Sequence, residues 1–247
     1  LNIHIFILLL HTSTTFMIYK ITKNNWVMGM LFGIHPLCSE VLGWSSALPD
    51  ALATCLSAAL VLSVYKEKIS LIIFFAFAAM LSKESAIICI LSLMVLHKNR
   101  GTLAVTLLIY LGLRFSMIGD SSVPFDWDRA MLATKGVVWL WGSSLFPFTL
   151  TAVRDIWHAP FLEFYFGLFV PILVLGVFRN GERHEQLGAL LWFFSPIIAF
   201  PVIASSHLAS ERYMYMGLFG MALAFFAFNR KLPLTIRSVF YPLIKEK

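Results

Sequence analysis

The chain has 247 residues, of which 59% are hydrophobic and 13% charged, and 19 Lys and Arg against 13 Asp and Glu give a net charge of +6. Soluble domains carry about 25% charged residues, so this composition excludes an ordinary soluble protein. It also excludes intrinsic disorder, collagen, coiled coils and disulfide-stapled domains. We therefore predict an all-α polytopic transmembrane helical bundle, because the apolar runs are continuous and lipid satisfies no backbone polar group.

Nine apolar runs bounded by charged residues predict the membrane helices. In chain order they are 1–19, 26–38, 50–65, 69–81, 85–96, 102–118, 161–178, 186–204 and 213–228. A full crossing needs about 20 residues, so the shorter runs predict broken helices or helices tucked inside the bundle. The prediction is about eight to nine membrane helices, plus an outer interfacial or re-entrant helix at 129–150. Together they form a single integral membrane domain over 1–247 with no soluble domain.

Recurring pairs of basic residues predict the orientation, because Lys and Arg concentrate in cytoplasmic loops. The pairs are Lys20/Lys23, Lys66/Lys68, Lys98/Arg100, Arg179/Arg183 and Arg230/Lys231. If all of them lie on the cytoplasmic side, the interval 69–97 contains two short helices that turn at Lys83-Glu84. Most of the acidic residues then fall on the opposite, outer side.

Two further patterns bear on packing and on the start of the chain. Gly29 and Gly33 form a GxxxG motif, which predicts close helix packing. The odd number of cysteines, with no CxxC spacing, indicates small core residues rather than a redox or metal site. Leu1 lies within an apolar run that has no basic flank and no cleavage site, which is atypical of a signal peptide. We expect a fragment or a processed chain.

The first polar cluster on the outer side is HPLCSEVLGWSSALPD, which contains His35, Glu40, Trp44 and Asp50. Ionisable residues at membrane depth are costly and by default suggest a functional site. Here they would surround a polar cavity, with Trp44 as an interfacial anchor or a platform for a sugar ring. The alternative is an ordinary exit from a helix into a loop, with Trp44 in the aromatic belt.

The second cluster is LSKES, where Lys83 and Glu84 separate two short apolar runs. In the functional interpretation Lys83 is a point charge for a phosphate group. The alternative is a structural turn in which the charges of Lys83 and Glu84 neutralise each other.

The third cluster is ASERYMYMGLFG, with Glu211, Arg212, Tyr213 and Tyr215 at the mouth of an apolar helix. The i,i+3 spacing predicts that Arg212 and Tyr215 share a helix face while Tyr213 points elsewhere. The alternative is an aromatic belt with a local ion pair.

The fourth cluster spans residues 119–160. Its carboxylates at Asp120, Asp126 and Asp128 are suitable ligands for a hard metal. Solvated loop acids are far commoner, so we predict no metal site. Arg154-Asp155, followed by a Trp-His pair at 157–158, is a better candidate for contacting a polar head group.

These motifs resemble a known family. His35-Pro36, Glu40, Trp44 and Asp50 are similar to the HPxxxExxxW…RxD signature of the transmembrane and tetratricopeptide-repeat O-mannosyltransferases and their bacterial relatives. LSKES resembles the LSKE element of that family, LFPFTL its PLxLS segment, and SERYMYM its AERYLYLP. The four motifs occur in the same order and cover residues 35 to about 217. Leu48 and Gly217 depart from the pattern, standing where the family has Arg and Pro, and no tetratricopeptide repeats follow.

The resemblance implies a membrane-embedded glycosyltransferase of the GT-C type that uses a polyprenyl- or dolichyl-phosphate sugar as donor and no certain cofactor. Such enzymes have a catalytic acid in their first outer loop, which we expect upstream of Leu1, so the catalytic residue is unknown. Arg154, Arg212 and Lys83 are the candidates for contacting the donor phosphate. The other candidates would orient the sugar or the cations: His35, Glu40, Trp44, Asp50, Glu84, Glu211, Tyr213 and Tyr215.

The expected partners are membrane lipid, the lipid-linked sugar and a protein or glycan acceptor, with no nucleic acid. The expected location is the bacterial inner membrane or the endoplasmic reticulum membrane, with the active face periplasmic or lumenal. Two other functions remain open. A transporter or flippase for a lipid-linked glycan would also suit broken helices and intramembrane charges. A structural subunit of an envelope complex would leave the outer acids unexplained.

Overall fold

A computed structural model describes residues 2–117, 126–148, 153–155, 161–201, 203 and 208–231, with the backbone alone at 153–155, 208 and 229–231. Helices make up most of this part of the chain, as predicted. They are α1 (Ile3–Ile21), α2 (Trp26–Gly33), α3 (Cys38–Gly43), α4 (Leu48–Tyr65), α5 (Ile69–Ser82), α6 (Ile87–Leu96), α7 (Arg100–Met117), α8 (Trp127–Leu145), α9 (Phe161–Asn180), α10 (Arg183–Ile198) and α11 (Tyr215–Lys231). Short 3-10 helices at Ser45–Ala47, Glu84–Ala86 and Glu211–Met214 precede α4, α6 and α11.

Local sequence explains where several helices begin and end. The side chains of Asn2 and Asn25 cap the first backbone N–H groups of α1 and α2. Glu182 and Glu185 form a capping box at the start of α10. The predicted run 26–38 is interrupted, since α2 ends at Gly33. Pro36 lacks the N–H that would continue the helix.

Three helical segments are long and apolar enough to cross a membrane: Ile3–Ile21, Ser45–Tyr65 and Phe161–Asn180. Within the most apolar 18 residues of each segment, 22% of Ile3–Ile21 and 28% of Phe161–Asn180 are buried, against 61% of Ser45–Tyr65. Ser45–Tyr65 therefore lies within the bundle, and the other two present broad apolar surfaces. Such surfaces are typical of lipid contact, and the chain has the features of an integral membrane protein. The shorter or less apolar helices in the described part of the chain do not establish eight to nine crossings.

The interval 69–97 contains two helices rather than one, as predicted. The backbone at Lys83 is extended (φ −162°, ψ 138°), which separates α5 from the 3-10 turn that leads into α6. Lys98, just after α6, pairs with Glu67, just before α5, over 2.6 Å. The far ends of this helix pair therefore lie together, and the chain reverses at Lys83-Glu84.

Two ion pairs bring four basic turns to one end of the bundle, which we call the basic end and define by Lys23, Glu67, Lys98 and Glu182. Lys23 Nζ lies 2.7 Å from Glu182 Oε2, and this contact joins the turn after α1 to the turn before α10. The Lys98–Glu67 pair joins the turns after α6 and α4. Arg183, at the start of α10, lines one cavity with Glu67 and Lys98, so the two pairs are neighbours.

The outer interfacial or re-entrant helix predicted at 129–150 corresponds to α8, which lies within the bundle rather than on its surface. Helix α8 has 11 buried residues and packs antiparallel against α9. A Cβ atom on Gly142 would lie 1.6 Å from the Glu163 carbonyl oxygen, and one on Gly167 would lie 1.9 Å from that of Val138. The two backbones touch because both positions are glycine. This close packing places α8 inside the bundle.

The GxxxG motif also serves packing, as predicted. Cβ atoms on Gly29 and Gly33 would both lie 3.1 Å from atoms of Thr15, so α2 packs closely on α1.

We expected a fold made of helices alone, and the structure adds two short strands to it. Strands β1 (Val153–Asp155) and β2 (Leu208–Ser210) form an antiparallel ribbon in which Arg154 is opposite Ala209. The ribbon places the backbone of Arg154 beside the segment that leads into Arg212.

Candidate functional site

Glu40 joins the first motif to the third. Helix α3 starts just after Pro36 and turns the Glu40 carboxylate inward, where only 6% of the residue is exposed. One carboxylate oxygen accepts a hydrogen bond from the Ser210 hydroxyl, and the other accepts one from the backbone N–H of Arg212 over 2.8 Å. Residues 170 positions apart in the chain are thereby fixed against each other.

The environment of Glu40 favours the protonated carboxyl relative to a glutamate in water. Burial raises the pKa of Glu40, and the hydrogen bonds from Ser210 and the Arg212 N–H offset only part of that rise. The positive charge of Arg212 also lowers this pKa, while the negative charge of Asp50 raises it. The pKa of Glu40 therefore depends on both a cation and an acid of the cluster.

Lys83 and Asp50 form an ion pair between the turn after α5 and the first turn of α4. The side chain of Asp50 is 9% exposed and that of Lys83 is 24% exposed, so the pair is largely withdrawn from water. The interpretation of Lys83-Glu84 as a self-neutralising turn is wrong. Glu84 instead approaches Arg114 of α7 at 3.5 Å, and both of those side chains are about half exposed.

Arg212 contacts two aromatic rings. Its guanidinium carbon is 5.2 Å from the Trp44 ring centre and 5.6 Å from that of Tyr213, within the range of a cation–π contact. Its Nη1 donates a hydrogen bond to Ser46 Oγ over 3.3 Å. Its Nε is buried and has no hydrogen-bond partner among the described residues. One donor of the guanidinium group is thus unsatisfied within the described part of the chain.

Lys83 approaches the same tyrosine ring. Its Nζ is 5.7 Å from the Tyr213 ring centre. Tyr213 therefore contacts both the ammonium group of the second motif and the guanidinium group of the third. We call the cluster of Glu40, Asp50, Lys83 and Arg212, together with Tyr213, the motif end.

The predicted face shared by Arg212 and Tyr215 is not found. Arg212 contacts Tyr213, whereas the Tyr215 hydroxyl turns into the core and meets His11 Nδ1 at 2.7 Å. His11 Nε2 donates to the carbonyl oxygen of Gly33 over 3.0 Å, so Nδ1 is the acceptor. The long arginine side chain reaches a neighbouring ring independently of its Cα position on the helix, so spacing did not decide the contact.

His35 is committed to backbone groups. Its Nδ1 accepts from the Leu37 N–H over 3.3 Å, so Nε2 carries the proton and donates to the Ser144 carbonyl oxygen over 3.0 Å. These bonds tie the end of α2 to the end of α8. His35 thus positions the corner that carries Glu40. Both of its ring nitrogens are already hydrogen-bonded to the backbone.

The remaining candidates differ in how much the structure describes. Glu211 is buried, with 2% exposure, in the 3-10 turn before α11. Arg154 is described by its backbone alone, and Asp120 and the Trp-His pair at 157–158 lie outside the described residues. Asp126 caps α8 and pairs with Arg129 at 3.3 Å, which is an ordinary structural role.

Four contributors to this region were not among the predicted residues: Ser46, Ser210, Arg114 and His11. His11 carries the clearest sequence signal, because an ionisable residue within an apolar run is expected to have a partner or a function. Ser46, Ser210 and Arg114 carry no such signal, since each is defined only by a contact with a residue distant in the chain.

Comparison with protein-family models, with curated proteins and with solved structures returned no match. The resemblance to O-mannosyltransferases therefore rests on the four sequence motifs alone.

Proposed function

We propose that this chain belongs to a membrane glycosyltransferase that transfers a sugar from a polyprenyl- or dolichyl-phosphate donor to a hydroxyl group of a protein or glycan. The reaction would take place on the outer or lumenal face, at the motif end. The observation that carries the proposal is the approach of Lys83 and Arg212, from two separate motifs, to the single ring of Tyr213. The protein would have about eight to nine membrane helices and lie in the bacterial inner membrane or the endoplasmic reticulum membrane.

Two cations suit the charge change in such a reaction. The donor is a phosphodiester with one negative charge, and the departing lipid phosphate has a second. Cationic groups aimed at that developing charge lower the barrier of the transfer step. Arg212 offers a planar fork whose Nε is unpartnered among the described residues, and Lys83 keeps further N–H donors while bound to Asp50.

The bond changes of the transfer are balanced without a metal or redox partner. The acceptor oxygen bonds to the anomeric carbon, the bond from that carbon to the phosphate oxygen breaks, and its electron pair leaves with the phosphate. The acceptor proton goes to a carboxylate base, which the resemblance assigns to the first outer loop of such enzymes.

The acids of the motif end have a supporting role in this proposal. Asp50 pairs with the Lys83 ammonium, and Glu40 holds the backbone N–H of Arg212. These contacts fix both cations before the donor arrives and partly neutralise them while the site is empty. Cation–π contacts with Trp44 and Tyr213 further hold the guanidinium in position.

Binding of a lipid phosphate to the purified chain tests the proposal without requiring turnover. Dolichyl phosphate or undecaprenyl phosphate is added in detergent, and the rise in melting temperature is measured. Arg212→Ala should reduce affinity tens-fold, since a charge-assisted contact is worth about 1.5–3 kcal/mol. Arg212→Lys should recover part of the loss, because its charge remains while the planar fork is gone.

The matched control is Arg129→Ala, which removes a partly exposed arginine outside the motif end. Equal weakening by the Arg129 and Arg212 variants would contradict the proposal. In membranes that carry the protein, labelled sugar should pass from the lipid phosphate to a hydroxyl acceptor and release the lipid phosphate. Movement of the lipid-linked sugar across proteoliposome bilayers without that release would favour the transporter instead.

A further inference from the structure

A cavity of about 290 Å³ opens at the basic end, where α4 and α6 end and α10 begins. The residues that give it its character are Tyr65, Glu67, His97, Lys98 and Arg183. A water molecule occupies about 30 Å³ in the liquid, so this volume accepts a group as large as a phosphate. No residue of the motif end lines it.

The charges around the cavity favour an anion. Lys98 pairs with Glu67 over 2.6 Å, and both side chains are more than 60% exposed, so this pair is weak and readily opened. Arg183 is exposed and forms no ion pair within the described part of the chain. Two cations against one acid leave the cavity with a net positive charge while His97 is neutral.

The imidazole of His97 lacks a partner that an anion would supply. Its Nε2 is buried and has no hydrogen-bond partner among the described residues. The Tyr65 ring packs edge-on against it at 5.2 Å and holds its orientation. Buried polar atoms are nearly always hydrogen-bonded, so the unpaired Nε2 of this cavity-lining histidine favours a ligand that supplies an acceptor oxygen.

We propose that this cavity binds the phosphate group of an anionic ligand, with Arg183 and Lys98 as its charged contacts and His97 as a hydrogen-bond donor. An anionic phospholipid head group and free phosphate share this chemistry. The cavity lies at the end where basic turns gather, which is where anionic lipids of a cytoplasmic leaflet would meet the protein. The inference is independent of the glycosyltransferase proposal, since it uses no residue of the motif end.

The pKa of His97 agrees with this arrangement. Burial, and then the positive charge of Arg183, lower the pKa of the His97 imidazole. A bound phosphate would offset the repulsion from Arg183 and allow His97 to donate more strongly.

The test measures binding of the purified full chain to vesicles of phosphatidylglycerol and, separately, of phosphatidylcholine. A parallel arm titrates inorganic phosphate and follows the melting temperature. Arg183→Gln should weaken binding of the phosphate group at least about ten-fold, as expected for loss of one charge-assisted contact. His97→Phe, which keeps a planar ring, should weaken it several-fold. Glu67→Gln should strengthen it, because Lys98 is released from its ion pair.

The matched control is Lys20→Gln, which removes an exposed basic residue that contacts Asn24 and the rings of Phe16 and Tyr19 and does not line the cavity. A preference for phosphatidylglycerol that Arg183→Gln abolishes identifies the lipid head group. Stabilisation by inorganic phosphate alone, abolished by the same variant, identifies free phosphate. If neither ligand binds, or if the Arg183 and Lys20 variants weaken binding equally while both remain folded, the proposal is overturned.

Discussion

The motif end and the basic end both hold oppositely charged residues together, but they do so in different surroundings. At the motif end the Asp50–Lys83 pair is largely buried, and Glu40 is buried against Ser210. At the basic end the Lys23–Glu182 and Lys98–Glu67 pairs are mostly exposed. A buried charge that loses its partner is strongly destabilising, whereas an exposed pair contributes little. The contacts of the motif end are therefore expected to hold the fold together, while those of the basic end leave their cations available to ligands.

The largest effect is expected from breaking the buried pair. Asp50→Asn keeps the shape of the side chain but leaves the Lys83 ammonium without its counter-charge. We expect the free energy of unfolding to fall by about 3 kcal/mol, as for other buried pairs that lose one partner. Denaturant titration in detergent measures the change. The double variant Asp50→Asn/Lys83→Met should regain much of it, and failure to do so would show that the pair is not coupled.

Removing the hydroxyl that supports Glu40 should have the next largest effect. Ser210→Ala deletes a hydrogen bond to a buried carboxylate, so we expect a loss of about 1.5–3 kcal/mol in the free energy of unfolding. Ser116→Ala is the control, since the Ser116 hydroxyl is exposed and bonds within its own helix to Leu113. Similar losses in the two variants would contradict a special role for the Ser210–Glu40 contact.

A smaller effect is expected from pH, and its sign follows from the raised pKa of Glu40. The folded state binds the proton of Glu40 more tightly than the unfolded state does. This group therefore stabilises the fold most at low pH, and that contribution is lost as pH rises from about 4.3 through the higher pKa of the folded state. Stability curves of the native protein and of Glu40→Gln, taken across this interval, measure it. The free energy of unfolding of the native protein, relative to that of Glu40→Gln, should fall as pH rises. A relative rise would show that folding lowers the pKa of Glu40.

The smallest effect is expected at the basic end. Lys23→Gln removes an exposed ion pair and should change the free energy of unfolding by less than about 1 kcal/mol. The change should shrink further in high salt, because exposed charges are screened. Melting temperatures at low and high ionic strength provide the measurement. A large loss that salt does not reduce would place Lys23 among the residues that hold the fold.

The sequence predicted the candidate residues of the motif end better than their partners. Glu40, Asp50, Lys83 and Arg212 stand out because charged groups are rare in apolar surroundings. The alternative interpretation, in which Glu84 neutralises Lys83, followed from their adjacency and is wrong, because the ammonium group of Lys83 pairs with Asp50. A turn brings neighbours close along the chain, but only the packing of α4 beside α5 decides which carboxylate the ammonium meets.

The sequence by itself determined the helical character of the chain, most helix limits, the break at Lys83 and the gathering of basic turns at one end. These features follow from composition, capping residues and the periodic placement of charge, all of which act locally. Only the tertiary structure decided that α8 lies within the bundle, that Tyr215 bonds to His11, and that Ser210 holds Glu40. Those outcomes depend on backbone contact at Gly142 and Gly167 and on residues far apart in the chain. Such contacts are selected by the joint packing of many side chains, which no single stretch of sequence specifies.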